Sequence, residues 1–457
     1  MIVGENCRAF VAIFLALTQI DALPVLVNAL LSARELDAIQ RHCGARRVLY
    51  TTGVSSHAAQ HAQRAGAVME QFVTLGSIGC GPLDGNVDPE PIDSDPAKAV
   101  AAIIYTSGTT GNPKGVMLTH GNLLFSSTAS ARIRSLTPED RVLGVLPISH
   151  AAGLQMHVLG SLVSGATLYL LPGFDLLKVK ALLQKDRVTI LYGVPSMFTQ
   201  FIEYAKLRRL PALRFTDLRV ISSCGSPLQP TIKSAVEDLF GLALNNGYGV
   251  TECSAGISST PIESRRTDTS VGRIYPGIEV KLVGPDREKV LDGEVGELWV
   301  RGPNVMKGYY RAPEETASAI DSDGWFNTRD LAKLEDGNLF IVGRTKELII
   351  RLGFNVYPAE IEGVLNMHPD VARSAVIGHC LDETGEQEII AFIQPMPGSS
   401  ITTTELSRFA RQHLAHYKHP TQIHLVSELP LNLTGKIVKD QLARRLGNLA
   451  AIPGSNY

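Results

Sequence analysis

Long apolar runs, paired cysteines and a surplus of either charge are all missing from this 457-residue chain. Its six cysteines include no Cys-x-x-Cys pair, which removes the common zinc and redox signatures and argues against a disulfide framework. Reduced thiols in a cytoplasmic protein are the expectation. Lys and Arg (43) nearly balance Asp and Glu (45), so no basic surplus points to nucleic acid. The most apolar stretch, FVAIFLAL at 10–17, is too short to cross a bilayer. Glu5 interrupts the basic front of a signal peptide and no small-residue cleavage site follows, so the stretch reads as a buried core helix. His57 and His61, and the group His413, His416 and His419, lack a further ligand at a recognisable metal-binding spacing. Repeats and low-complexity tracts are absent too. What remains is a globular chain, 44% hydrophobic and 19% charged, too long for a single core.

From about 100 to 250, strand and helix signals alternate. AAIIYTS, VLGVLPI, VTILYGV (188–194) and LRVISS (218–223) read as strands. Helices are expected from about His120, over DLLKVKALLQKD behind the capping Asp175, after Pro195, and over PTIKSAVEDLF. Leu176, Leu177, Val179, Leu182 and Leu183 form the expected apolar face of the second of these. Strands separated by such helices imply a mostly parallel sheet covered on both faces. After about 265, IEVKLVG, GELWVRG and the pair LAKLE–DG–NLFIVG are short strands joined by Gly and Asp-Gly turns, hence antiparallel. Beyond GRTKEL (343–348) comes a smaller α+β unit with strands ARSAVIGH and EIIAFIQP and a helix near 404–417. The expected fold class is therefore α/β. A large N-terminal domain (1–345) of mostly parallel sheets with helices carries a small antiparallel part, and a small α+β C-terminal domain (346–457) follows.

One stretch carries phosphate chemistry. YTSGTTGNPKGV (105–116) follows the apolar AAII, yet it fails the common P-loop pattern because Lys114 lies between Pro113 and Gly115. Gly108, Gly111 and Gly115 let the backbone fold tightly against an anion. Thr106, Ser107, Thr109 and Thr110 add hydroxyl donors, and Lys114 adds a compact positive charge. On composition alone, an ordinary Gly/Thr-rich turn is the other reading.

YTSGTTGNPKGV resembles the signature loop of the adenylate-forming superfamily, which includes acyl- and aryl-CoA synthetases, peptide-synthetase adenylation domains and luciferases. NNGYGVTE (245–252), GWFNTRDLAKLEDG with GRTKEL, GFNVYPAEIE and LPLNLTGKI (429–437) resemble that family's further motifs, in the family's order. The resemblance runs from about Gly4 to Lys439. It implies that ATP converts a carboxylic acid to an acyl-adenylate and that a thiol, usually of coenzyme A, then takes the acyl group. Catalytic lysine Lys436 would bridge the carboxylate and the α-phosphate. Thr251 would donate to that phosphate, and Glu252 would hold Mg2+. Tyr248 would lie against adenine, near Ser226 and Pro227, while Asp330 and Arg344 would contact the ribose. Lys346 would be the hinge about which the C-terminal domain turns, bringing Gly353 and Phe354 into the thiol channel.

His150 in LPISHAAGL falls beside the family's acid and thiol channel. No acidic residue stands there to pair an amino group, which argues against an amino acid substrate. Ala151, Ala152 and Gly153, with Val194 and Met197, suggest an apolar pocket, so a fatty acid is the first expectation and an aromatic acid the second. The chain begins almost at the helix that GENCRAFVAIFLAL resembles, so the resemblance also implies that several dozen residues of the first subdomain are missing. Arg329 stands where the family prefers glycine. These departures leave open a truncated, non-catalytic nucleotide- or acyl-binding protein, and an acyl carrier protein is the alternative acceptor. A homo-oligomer is compatible with the sequence.

Overall fold

The computed structural model describes residues 1–450 apart from positions 89, 108–112, 264, 287, 352–353, 381–386 and 433–434. Gly108, Thr109, Thr110, Gly111 and Gly353 thus lie outside the described residues. Two large sheets account for the alternating strands and helices. In the first, an eight-stranded sheet, Val100–Ser107, Val25–Asn28, Ile2–Gly4 and Leu49–Tyr50 run parallel at the centre. Antiparallel strands extend both of its edges. The apolar helix Arg8–Gln19 buries Ala9, Phe10, Ile13 and Phe14, as a core helix should, and no helix among the described residues is long and apolar enough to cross a membrane. None of the five described cysteines is disulfide-bonded.

The second sheet has five parallel strands, Thr167–Leu170, Arg141–Gly144, Ile190–Gly193, Val220–Ser223 and Leu244–Tyr248, followed by antiparallel Ser258–Ser259 and Arg273–Ile274. Side chains alternate along each strand. Leu191, Ile221 and Leu244 therefore pack on one face with helices Pro195–Leu207 and Pro230–Phe240, where Phe201 and Phe240 meet edge to face at 5.3 Å. Tyr192, Val194 and Val220 take the other face, against Leu146 and Met156.

Local expectations are corrected at several points. Between the glycine loop and the helix His120–Ile133 runs a strand, Pro113–Thr119, paired antiparallel with Val100–Ser107. The helix therefore does not follow the loop directly, because a second strand comes first. VLGVLPI is a strand only over Arg141–Gly144. Beyond it the chain bends at Pro147 and enters a π-helical turn, Gly153–Leu159. Gly153 has no alternative there, because a β-carbon would stand 2.1 Å from the Pro147 carbonyl oxygen. Finally, Leu177 is 64% exposed rather than part of the buried face of helix Leu176–Lys185, although Asp175 does cap it by accepting from the Leu177 and Lys178 amides.

A four-stranded antiparallel sheet follows, ending in Phe326–Glu335 and Asn338–Arg344. Asp336 and Gly337 join these two, both at positive φ (51° and 72°), which suits the twist of a tight hairpin. The hairpin sets Asp330 opposite Arg344. In the last part of the chain, Val371–Cys380, Gln387–Pro395 and Gln422–Leu425 form a sheet packed with helices Pro358–Leu365 and Thr403–His413. That helix ends at His413, so Tyr417 lies in the following turn rather than on the helix. Gly153→Ala should lower the urea midpoint, with a loss of about 1–3 kcal/mol as the backbone at Pro147 is displaced. Arg329 is exposed at φ +58°, the left-handed region that favours glycine. Arg329→Gly should stabilise the fold by about 1 kcal/mol or less, read as a slightly higher melting temperature, because relieved strain is offset by glycine's added freedom when unfolded.

Candidate active site

Loop chemistry comes first. The strand register sets Thr106 opposite Lys114, with Ser107 at the end of its strand. The Lys114 ammonium lies 5.1 Å from the Tyr309 ring centroid. The Tyr309 hydroxyl donates to Glu252 Oε1 at 3.0 Å. Glu252 and Thr251 sit on the short turn Thr251–Cys253 directly after the strand bearing Tyr248. Burial raises the Glu252 carboxyl above its usual range, and this carboxylate forms no ion pair among the described residues. A half-buried carboxylate with no ion pair among the described residues fits a hard divalent metal.

A cavity of about 510 Å³ opens beside this turn. Ser226, Pro227, Tyr248, Asp330, Arg344 and Lys436 all line it, so the residues expected at the adenine and ribose converge there with the expected catalytic lysine, whereas Thr106, Ser107 and Lys114 do not line it. Asp330, 3% exposed, accepts from the Tyr248 hydroxyl at 2.5 Å and from Arg344 Nε at 3.0 Å. Lys436 arrives on a turn closed by the Asn432 amide donating to the Lys436 carbonyl at 2.8 Å. Burial, then the Arg344 charge, holds the Lys436 ammonium down to about 8, against the pull of Asp330 and Glu347.

Several expected residues stand outside the cavity lining. Thr251 and Glu252 lie just beyond Val250, which does line it. His150 is half-buried ahead of the π-helical turn, and burial lowers its ring below the usual histidine range. Val194 is buried in the adjoining apolar cluster. Phe354 is exposed and stacks on Tyr417 at 4.4 Å. Lys346 is exposed on the turn Thr345–Glu347. Sequence reasoning missed Tyr309, Glu347 and Lys439. The Lys439 ammonium pairs with both Glu347 and Glu362 at 2.8 Å, and its spacing of three from Lys436 was the one available signal.

The family model described as AMP-binding enzyme matches residues 1–310, and that of the AMP-binding enzyme C-terminal domain matches 360–436. This chain belongs to the AMP-binding enzyme family. Feruloyl-CoA synthase from an Amycolatopsis species is 35% identical over 448 residues, covering 97% of this chain and 88% of the relative. 4-Coumarate–CoA ligase 3 of Oryza sativa subsp. japonica is 31% identical over 98% of this chain and 82% of its own length. Among solved structures, ATP-bound MatB from Rhodopseudomonas palustris superposes with a TM-score of 0.84 at 29% identity, covering 98% of this chain and 89% of MatB. o-Succinylbenzoate CoA synthetase (MenE) from Bacillus subtilis, complexed with its acyl-adenylate, gives 0.79 at 28% identity over 96% and 87%. This AMP-binding enzyme is an AMP-forming acid–CoA ligase that works through an acyl-adenylate.

The depressed Lys436 makes a pH prediction. Below about 8 the folded ammonium is charged, and above it the charge is lost while the unfolded chain keeps it up to the ordinary value of 10.5. Adenylation measured as kcat/KM should fall on an alkaline limb near 8. In Lys436→Arg that limb should move out of range, because a guanidinium stays protonated. Folding stability attributable to this group should rise between those two values, where the unfolded state binds more protons. An unmoved alkaline limb in the Arg variant would exclude Lys436 as its source.

Proposed function

We propose that this ligase activates an aromatic carboxylic acid with ATP and Mg2+ and passes the acyl group to coenzyme A. The observation that carries the site assignment is the convergence of Lys436 with Tyr248, Asp330 and Arg344 on one cavity. In the first step a carboxylate oxygen attacks the α-phosphorus and pyrophosphate leaves. Two anions must meet, so fixed positive charge at the α-phosphate is the main requirement. Lys436 supplies it, with Thr251 donating to the same phosphate. Asp330 and Arg344 hold the ribose, while Tyr248, Ser226 and Pro227 flank the adenine. Thr106, Ser107 and Lys114 hold the leaving pyrophosphate. Mg2+, when bound, neutralises phosphate charge, and Glu252 is the residue that would hold it. In the second step the thiol attacks the acyl carbon and AMP leaves. His150 and Val194 border the acid there, and a turn about Lys346 withdraws Lys436 and brings Phe354 toward the thiol path.

The aromatic assignment replaces the fatty acid suggested by Ala151, Ala152 and Gly153. It is supported by relatives named for feruloyl, 4-coumarate and, in Aromatoleum aromaticum, indoleacetate. It is supported as well by the wall beside Val194, which carries the Tyr192 and His157 rings. Acid-dependent ATP–pyrophosphate exchange with ferulate, 4-coumarate, benzoate, octanoate and palmitate is the test. Exchange only with the aliphatic acids would overturn the aromatic reading. Lys436→Ala should lose about two to three orders of magnitude in exchange while largely keeping thioester formation from supplied acyl-adenylate. Equal losses in both half-reactions would remove Lys436 from its role.

A further inference from the structure

Beyond Val194 the same face of the second sheet ends in an unneutralised charge. Arg134 caps the helix His120–Ile133 and is 3% exposed. Its Nη1 donates to Ser130 Oγ at 2.6 Å and reaches Tyr275 Oη at 3.4 Å, and its Nη2 reaches Ser259 Oγ at 3.5 Å. Its Nε is buried without a partner, and no carboxylate pairs with the guanidinium among the described residues. Helix-end carbonyls offset only about half an elementary charge. An isolated buried cation is costly, so it calls for an anion or a strong acceptor.

The surroundings are equally incomplete. The Arg134 guanidinium lies over the Tyr192 ring, 5.3 Å from its centroid, and His157 stacks on that ring at 5.6 Å. The Ser222 hydroxyl is buried and unpartnered, and Ser222 is the strand neighbour of Tyr192. His157 belongs to the π-helical turn, a distortion frequent at functional sites. Gly247 links this cluster to the nucleotide cavity. It lines that cavity, and a β-carbon on it would stand 3.6 Å from Arg134 Nη2.

We infer that Arg134, with Tyr192 and His157, forms the far end of the acid pocket and receives a second oxygen function, a phenolic hydroxyl or a second carboxylate, opposite the carboxyl that reacts. Arg134 is then a specificity-determining residue, and the inference deepens the aromatic reading, on which its choice of acids rests. A site that hydrogen-bonds a substrate oxygen rejects the analogue lacking it far more strongly than an apolar pocket discriminates by size.

The test is pyrophosphate exchange with matched acids, namely cinnamate against 4-hydroxycinnamate and 4-carboxycinnamate, and octanoate against suberate. The native enzyme should favour the oxygen-bearing member of the aromatic set by roughly tenfold to a hundredfold in kcat/KM, as expected for a hydrogen bond to a charged group. Arg134→Met should abolish that preference with KM for ATP unchanged. Gly247→Ala places a methyl between cavity and guanidinium at ordinary contact distances, so it should fold and also erode the preference. A preference confined to suberate, and lost in the variants, would refute the aromatic reading while upholding Arg134. Equal loss for both members of a pair, a preference that survives Arg134→Met and Gly247→Ala, or no exchange with any oxygen-bearing acid would overturn the inference.

Discussion

A single buried carboxylate, Asp330, ties this enzyme's parts into one site. It accepts from Tyr248, at the end of a parallel strand, and from Arg344, the last residue of an antiparallel one. It also acts on the charge of Lys436, which comes from beyond both sheets. A carboxylate this buried is tolerable only when its lone pairs are satisfied by positive or donating groups. The same network gathers an aromatic ring, a guanidinium and an ammonium around one cavity.

Charge is distributed unevenly around that point. Lys436 is held below its ordinary value by burial beside Arg344, whereas Lys439, three residues on, lies between Glu347 and Glu362 and is raised despite burial. One lysine is thus fully neutralised and structural. The other keeps a charge that burial makes costly to hold without an anion. Glu252 shows the reverse logic, since burial raises a carboxyl that forms no ion pair among the described residues.

The second sheet divides work between its two faces through simple alternation. Leu191 and Ile221 send apolar side chains toward the helices, where Phe198, Phe201 and Phe240 complete a dry core. One residue along, Tyr192 and Ser222 turn the other way and meet Arg134 and His157. A shift of one residue in register would exchange the two, so the polar face depends on the same pairing that holds the core.

Local patterns by themselves determined much of this protein. The alternating α/β order, the Asp336–Gly337 hairpin, the Asp175 cap and the ordered motifs around Lys114, Tyr248, Asp330 and Lys436 were legible because each depends on neighbours within a few residues. What failed was also local in appearance. Pro113–Thr119 is mixed in composition and becomes a strand only because Val100–Ser107 and Gly308–Tyr309 lie on either side. Leu177 fits a helical stripe but is left 64% exposed. Tyr309 meets Glu252 across 57 positions, Lys439 meets Glu347 across 92, and Arg134 meets Tyr275 across 141. Contacts at such separations leave no periodic trace in the chain. Only the packed tertiary structure decides which buried charges find partners and which are left for a ligand.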